Sequence, residues 1–371
     1  MNHDWKALAP HKPLDPGDAA YVSRTSGGAQ DIVDWVRAGG STVLVGGPAG
    51  IGKSTEIARA ATLLRNDRVA CFMPLDRFEN MRRLDADRMA LKIAGIIGDL
   101  AIDVYHLALS TSLREALVHH NVLKDDTFRL RAGMVYPQSP GALVKSTIAE
   151  VQRLAQKRIA LVIDGLEKVP PGRQATKLFE ALRSLPDDVD LIVVIPWHAA
   201  FGAQSEGIVR AGEKLIAIRA LDVEGEPGES GQAFLTNVLA TRWGRSVSDF
   251  DHAKLDLIAD AARWSGGIPR TFLQLMADAG TYAFLRAESP WPDSEDMVNA
   301  VADQQESFRR LLMPGDTDAI KKHKGTDGRE LDVARKVRLL AHGVLLERLR
   351  NRRPVLEVHP LVRAVLNERW A

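Results

Sequence analysis

Short uninterrupted apolar runs alternate along the chain with longer stretches in which apolar residues recur every three or four positions. The runs Thr42 to Val45, Arg68 to Leu75, Ile159 to Ile163 and Asp190 to Ile195 predict buried parallel strands, and Lys214 to Arg219 a fifth. Helical spacing between them predicts helices over Ala29 to Ala38, Lys53 to Leu64, Ser112 to Leu123, Ala142 to Gln156 and Gln174 to Leu185. Asp85 to Leu109 reads as one or two helices, with Met89, Ile93, Ile96, Ile97 and Leu100 at helical spacing. Lys124 to Ser139 carries charges and Gly133, with Pro137 inside it and Pro140 next to it, and is expected to be an exposed insertion. Met1 to Ala20, rich in Pro, Asp and His, is expected to be an extended arm.

Beyond Leu221 the pattern is helical. Gly231 to Trp243 and Asp251 to Trp264 are helices, the second stopped by Gly266 and Gly267. Pro269 and Arg270 open a helix over Thr271 to Tyr282, where Pro is favoured. Asp293 to Leu312 is an amphipathic helix closed by Pro314 and Gly315, and the polar Asp316 to Arg329 reads as a linker or loop. The last segment reads as a helix (Glu330 to His342), two strands (Gly343 to Leu349 and Val355 to Val358) and a helix (His359 to Trp370). That order fits a winged helix, with Arg350, Asn351, Arg352 and Arg353 at the wing tip.

Composition narrows the class without naming it. The chain has 371 residues, 45% hydrophobic and 26% charged, as ordinary globular proteins do. A net charge of +1 leaves any basic surface local. The single cysteine, Cys71, lies in an apolar run, so no disulfide can form within the chain, which fits a reducing cytoplasm. No apolar stretch is long enough to span a membrane, and the first residues lack the apolar core of a signal peptide.

Candidate chemistry centres on the turn after the first strand. Ser41 to Thr55 reads STVLVGGPAGIGKST, in which Gly47, Gly52, Lys53 and Ser54 match the phosphate-loop pattern in full. Glycines let successive N–H groups converge on one anion, and the following helix adds its N-terminal dipole. The expected nucleotide contacts are Gly47, Pro48, Ala49, Gly50, Ile51, Gly52, Lys53, Ser54 and Thr55. Lys53 reaches the β- and γ-phosphates, and Ser54 ligates Mg²⁺. The run Ile159 to Ile163 is followed by Asp164, a Walker B element whose carboxylate is expected to hold Mg²⁺ directly or through water. Glu167 is the candidate base for orienting the attacking water; Gly165 stands right after Asp164, where many ATPases carry that Glu. His198, at the tip of the fourth strand, either touches the γ-phosphate or is a capped surface histidine. Tyr21 and Val22, just ahead of the core, either contact adenine or pack the arm onto the sheet.

Together GGPAGIGKST, VIDGLE and SGGIPR resemble the AAA+ superfamily, and more closely its STAND-type and initiator-like relatives. The resemblance covers roughly Tyr21 to Trp370 and implies ATP and Mg²⁺ bound between an α/β core and a helical lid. It places a lid arginine that reaches the γ-phosphate at Arg270, next to Pro269. It places an arginine that reaches a neighbouring subunit's nucleotide at Arg210. The expected layout is an N-terminal arm (1–20), a P-loop α/β core with a parallel sheet (21–221), an all-helical lid (222–315) and a winged-helix domain (316–371).

Two functions of different classes follow. One is an ATP-hydrolysing switch, slow because Gly165 replaces the usual Glu, whose output is a protein partner or self-assembly. The other is an initiator-like ATPase that binds DNA through the winged helix, with Arg348, Arg350, Arg352 and Arg353 on phosphates. A scaffold that binds ATP without useful turnover is a third. A small-molecule kinase is disfavoured, since the C-terminal half reads as lid and winged helix. The preference for adenine over guanine rests on the resemblance.

Overall fold

The computed structural model describes residues 5–8, 10, 12–123, 138–169, 172–200, 209–210, 212–224, 231–287, 289, 291–328, 330–350 and 353–368. The chain divides into two compact units. One comprises Ala29–Val45 and Ile57–Ile216; the other comprises Met1–Gly28, Gly46–Glu56 and Ala217–Ala371.

The first unit is built on a five-stranded sheet. Its elements run α1 (Ala29–Arg37), β1 (Thr42–Gly46), α2 (Lys53–Leu64, of which the first turn, up to Glu56, belongs to the second unit), β2 (Val69–Pro74), α3 (Leu75–Phe78), α4 (Ala86–Asp103), α5 (Thr111–His119), α6 (Pro140–Ala155), β3 (Ile159–Asp164), α7 (Arg173–Arg183), β4 (Asp190–Val194) and β5 (Lys214–Ala217). The strand order is β2-β3-β4-β1-β5. The pairs β2–β3, β3–β4 and β4–β1 are parallel, with Pro74 opposite Asp164 and Val45 opposite Val194. Every residue of β3 and β4 is buried, which is why these strands are continuous apolar runs. The core joins Cys71, Leu161 and Ile163 of the sheet to Ile93, Ile97, Leu143 and Leu178 of the helices. α4 is a single helix, capped by the Asp85 carboxylate on the Arg88 N–H at 2.8 Å. It ends at Asp103, short of the expected Leu109. The expected insertion at 124–139 lies outside the described residues except for 138 and 139.

The second unit holds α8 (Gly231–Arg242), α9 (His252–Trp264), α10 (Pro269–Ala287), α11 (Ser294–Leu311), α12 (Asp316–His323), α13 (Val333–Ala341), β6 (Leu345–Arg350), β7 (Arg353–Val358) and α14 (Pro360–Glu368). β6 and β7 form an antiparallel hairpin with Leu345 opposite Val358 and Arg350 opposite Arg353, so helix, hairpin and helix follow in the expected order. Two expectations change. Residues 316–323, expected to be loop, are helix α12. That helix buries Ala319, Ile320 and His323, and its fully buried Asp316 accepts two bonds of 2.6 Å from Arg338. The arm is also not extended throughout. Trp5–Leu8 form a 3-10 turn, because Trp5 gains an aromatic nest of Trp243, Phe250 and Trp291. Arg242 fastens the same turn by donating to the Leu8 carbonyl at 2.6 Å.

Candidate functional site

The glycine-rich turn leaves β1 at Gly46 and enters α2 at Lys53. Gly47, Gly50 and Gly52 all have positive φ, at 150°, 78° and 105°. Gly50 is fixed by more than its φ: a Cβ there would fall 2.7 Å from Cβ of Arg270. The backbone N–H of Arg270 donates to the Gly50 carbonyl at 3.2 Å. So Pro269 and Arg270, the first residues of α10, abut the middle of the turn, while the Arg270 side chain is exposed. Lys53 bends back over the turn, its Nζ donating to the carbonyls of Gly47 and Pro48 at 2.9 Å each. Ile51 and Pro48 are buried, whereas Ser54 and Thr55 are half-buried in the first turn of α2. The result is a cation beside a helix N-terminus, an arrangement that accepts phosphate. The Ala49 N–H donates to the carbonyl of Ala341, the last residue of α13, at 3.3 Å.

The arm runs alongside. The Tyr21 hydroxyl donates to Oε2 of the buried Glu56 at 2.8 Å, so Tyr21 fastens the arm to α2. Val22 instead lines a cavity of about 860 Å³, shared with Arg24, Leu221, Phe234, Asn237 and Arg348. Arg24, Phe234 and Asn237 were not singled out from the sequence. Arg24 shows itself there only as one charge in a short arm, since its partners are remote. Burial pulls its guanidinium below the usual arginine range, against the opposing pull of Glu56 and Tyr21. Arg348, expected on DNA phosphates, is buried instead. It donates to the carbonyls of Leu221 and Gly266 and pairs with Glu357 at 2.8 Å. Of the expected wing tip, Arg353 is exposed and residues 351 and 352 lie outside the described ones.

The sheet unit carries the other expected residues. Asp164 ends β3 and is only 5% exposed. Gly165 follows with φ 93°, and the 3-10 turn Leu166–Lys168 then presents Glu167, half-buried. Lys168 pairs with Asp76 of α3. After β4, a 3-10 turn over Trp197–Ala200 holds His198, whose side chain lies outside the described residues. Arg210 is exposed, and its backbone N–H donates to Glu213 at 2.8 Å. The second unit thus gathers the phosphate loop, Tyr21, Val22, Pro269 and Arg270; the first gathers Asp164, Glu167 and Arg210. A buried strand-end carboxylate and a serine hydroxyl on a helix N-terminus are hard oxygen donors of the kind Mg²⁺ takes, and the glycine turn with Lys53 suits a polyphosphate. Among the described residues no cluster of three or more His, Cys, Asp or Glu could hold a metal by itself. No helix of the described residues is long and apolar enough to cross a membrane.

A parallel sheet with a glycine phosphate loop after β1 and a carboxylate closing β3, accompanied by a helical region, is a P-loop α/β fold. The chain shares that fold with the Walker-type ATPase paby2304 of Pyrococcus abyssi. The two align at a TM-score of 0.57 and 14% identity over 97% of this chain and 99% of that one. The Aeropyrum pernix ORC1 protein in complex with DNA aligns at a TM-score of 0.45 and 16% identity, over 98% of this chain and 96% of that one. No protein-family model and no curated protein matches the chain.

Proposed function

We propose that the chain is a Mg²⁺-dependent ATP switch that hydrolyses its nucleotide slowly and signals through its C-terminal segment. The observation that carries this reading is the bond from the Ala49 N–H of the phosphate loop to the Ala341 carbonyl. A phosphate that takes the Ala49 N–H displaces that carbonyl. The C-terminus of α13 also bears partial negative charge, which opposes an anion at the loop. The longer and more charged the polyphosphate, the stronger the competition, so ADP tolerates the contact and ATP shifts the population away from it. Hydrolysis restores the contact.

In this reading Lys53 and the residues from Gly47 to Thr55 hold the phosphates, and Ser54 and Asp164 hold the metal. Glu167 orients water and Arg270 senses the γ-phosphate from the start of the lid (222–315). The C-terminal winged helix (316–371) is the moving part. A protein partner or a second copy reads the change, with Arg210 reaching a neighbour's nucleotide in the latter case.

The experiment is hydrogen exchange over 333–368 in the full chain, saturated with Mg²⁺–ADP or with a slowly hydrolysed Mg²⁺–ATP analogue. Lower protection with the triphosphate supports the switch. Equal protection with both nucleotides at full occupancy overturns it, and failure to bind either removes the nucleotide reading altogether. Turnover raised by duplex DNA would move the output from a protein partner to DNA.

A further inference from the structure

Arg24 is a buried cation with several partners in the second unit, and none of the roles assigned above uses it. Its side chain is 4% exposed. Each of its nitrogens meets a different part of that unit. Nη2 donates to the Ile51 carbonyl in the phosphate loop at 2.5 Å. Nη1 donates to the Arg219 carbonyl, just after β5, at 3.3 Å. Nε pairs with Oε1 of Glu56 at 3.3 Å, in the first turn of α2. The guanidinium lies 5.4 Å from the ring centroid of Phe234 in α8.

The Ile51 contact bears on phosphate binding through the geometry of one peptide. A trans peptide is planar, and its C=O and N–H point in opposite directions. Holding the Ile51 carbonyl on the Arg24 side therefore aims the Gly52 N–H the other way. Gly52, at φ 105°, has no backbone preference of its own that would hold that orientation. Lys53 holds the Gly47 and Pro48 carbonyls. Arg24 thus fixes the Ile51 carbonyl on the side away from the cradle, and the inward N–H of that peptide is set with it.

We infer that Arg24 is a positioning residue for the phosphate cradle, holding the Ile51–Gly52 peptide so that the Gly52 N–H faces a bound polyphosphate. The inference rests on the reading of the loop as a nucleotide-phosphate site. It also names a route by which α8 is felt at the phosphates, since Phe234 packs on the same guanidinium. Arginine is required because three separated acceptors are served by one planar fork; an ammonium offers no such fixed spread.

The test uses the full chain as wild type, as Arg24→Lys, and as Arg24→Met/Glu56→Gln. The first variant keeps a cation beside Glu56. The second removes both buried charges together, so that a folded protein remains if the first fails. ADP affinity and amide hydrogen exchange over 50–54 are measured, the latter at matched ADP occupancy, with thermal midpoints alongside. The expected result is an ADP affinity at least tenfold lower and loss of ADP-induced protection at 50–54. Unchanged affinity overturns the inference. So does lowered affinity with protection at 50–54 intact, which would assign Arg24 to the nucleoside side of the cavity or to folding alone. If ADP fails to protect 50–54 in the wild type, the nucleotide reading falls rather than the role of Arg24.

Discussion

A Cβ placed on Gly165 would lie 2.9 Å from the backbone nitrogen of Asp76 and 3.0 Å from its Cβ. This is why the residue after Asp164 is not the Glu that many ATPases carry there. The chain turns at φ 93° and α3 is packed against the turn, so no side chain fits. Gly165→Ala is expected to cost about 1–3 kcal/mol from the left-handed backbone alone. Gly165→Glu adds overpacking and reaches roughly 2–6 kcal/mol. Urea unfolding gives the stabilities, and ATP turnover gives the function. A Gly165→Glu protein as stable as wild type and faster in turnover would show that the turn is free to accept the usual base.

With position 165 closed to side chains, the carboxylate nearest to Asp164 in the chain is Glu167, on the 3-10 turn that Gly165 starts. Glu167→Gln is nearly isosteric and keeps hydrogen bonding but cannot take a proton. Turnover is expected to fall by about 10²–10⁴-fold with nucleotide affinity within a few-fold of wild type. Steady-state phosphate release and equilibrium titration separate the two. Normal turnover in the variant would assign the water to another group.

The sheet was legible because buried parallel strands are written as unbroken apolar runs: β3 begins at the expected Ile159 and ends on Asp164. α2 was equally plain, since the loop motif fixes its first residue. What stayed hidden depends on pairings between distant residues. α12 looks like a polar loop until Arg338 meets Asp316 and makes a buried carboxylate affordable. Arg24 finds its acceptors 27 and 195 residues away. Arg348 sits in a charged run that reads as a solvated wing, yet the Leu221 and Gly266 carbonyls and Glu357 draw it inside.

Lys53 bridges the Gly47 and Pro48 carbonyls, which keeps its ammonium at the rim of the cradle. Lys53→Ala removes both the bridge and the charge a polyphosphate would meet. Hydrogen bonds to charged groups contribute about 1.5–3 kcal/mol, so ADP and ATP affinity should fall by roughly 10–150-fold. Titration calorimetry reads this directly, and a thermal midpoint checks that the fold persists. An unchanged affinity for both nucleotides would remove the phosphate assignment from this loop.

His359 ties the acid stability of the C-terminal segment to one buried ring. The ring is fully buried, sits 4.7 Å from Phe308 by centroids, and its Nδ1 accepts the Leu361 N–H at 3.2 Å. Burial, with the nearby Arg348 charge adding to it and a backbone bond at Ser265 opposing, pushes its pKa from 6.5 down to about 3. Between those values the unfolded chain binds the extra proton and the folded chain does not. Stability is therefore full above pH 6.5 and declines as the pH falls towards about 3. The ring alone should cost about 2 kcal/mol on going from pH 7.5 to pH 5. His359→Leu keeps an apolar side chain of similar size and cannot be protonated. The difference in unfolding free energy between wild type and variant should shift by that amount in favour of the variant over the same interval, and be flat above pH 7. A difference that does not change with pH would mean that the ring titrates alike in the folded and unfolded chains, as a ring reached by water does.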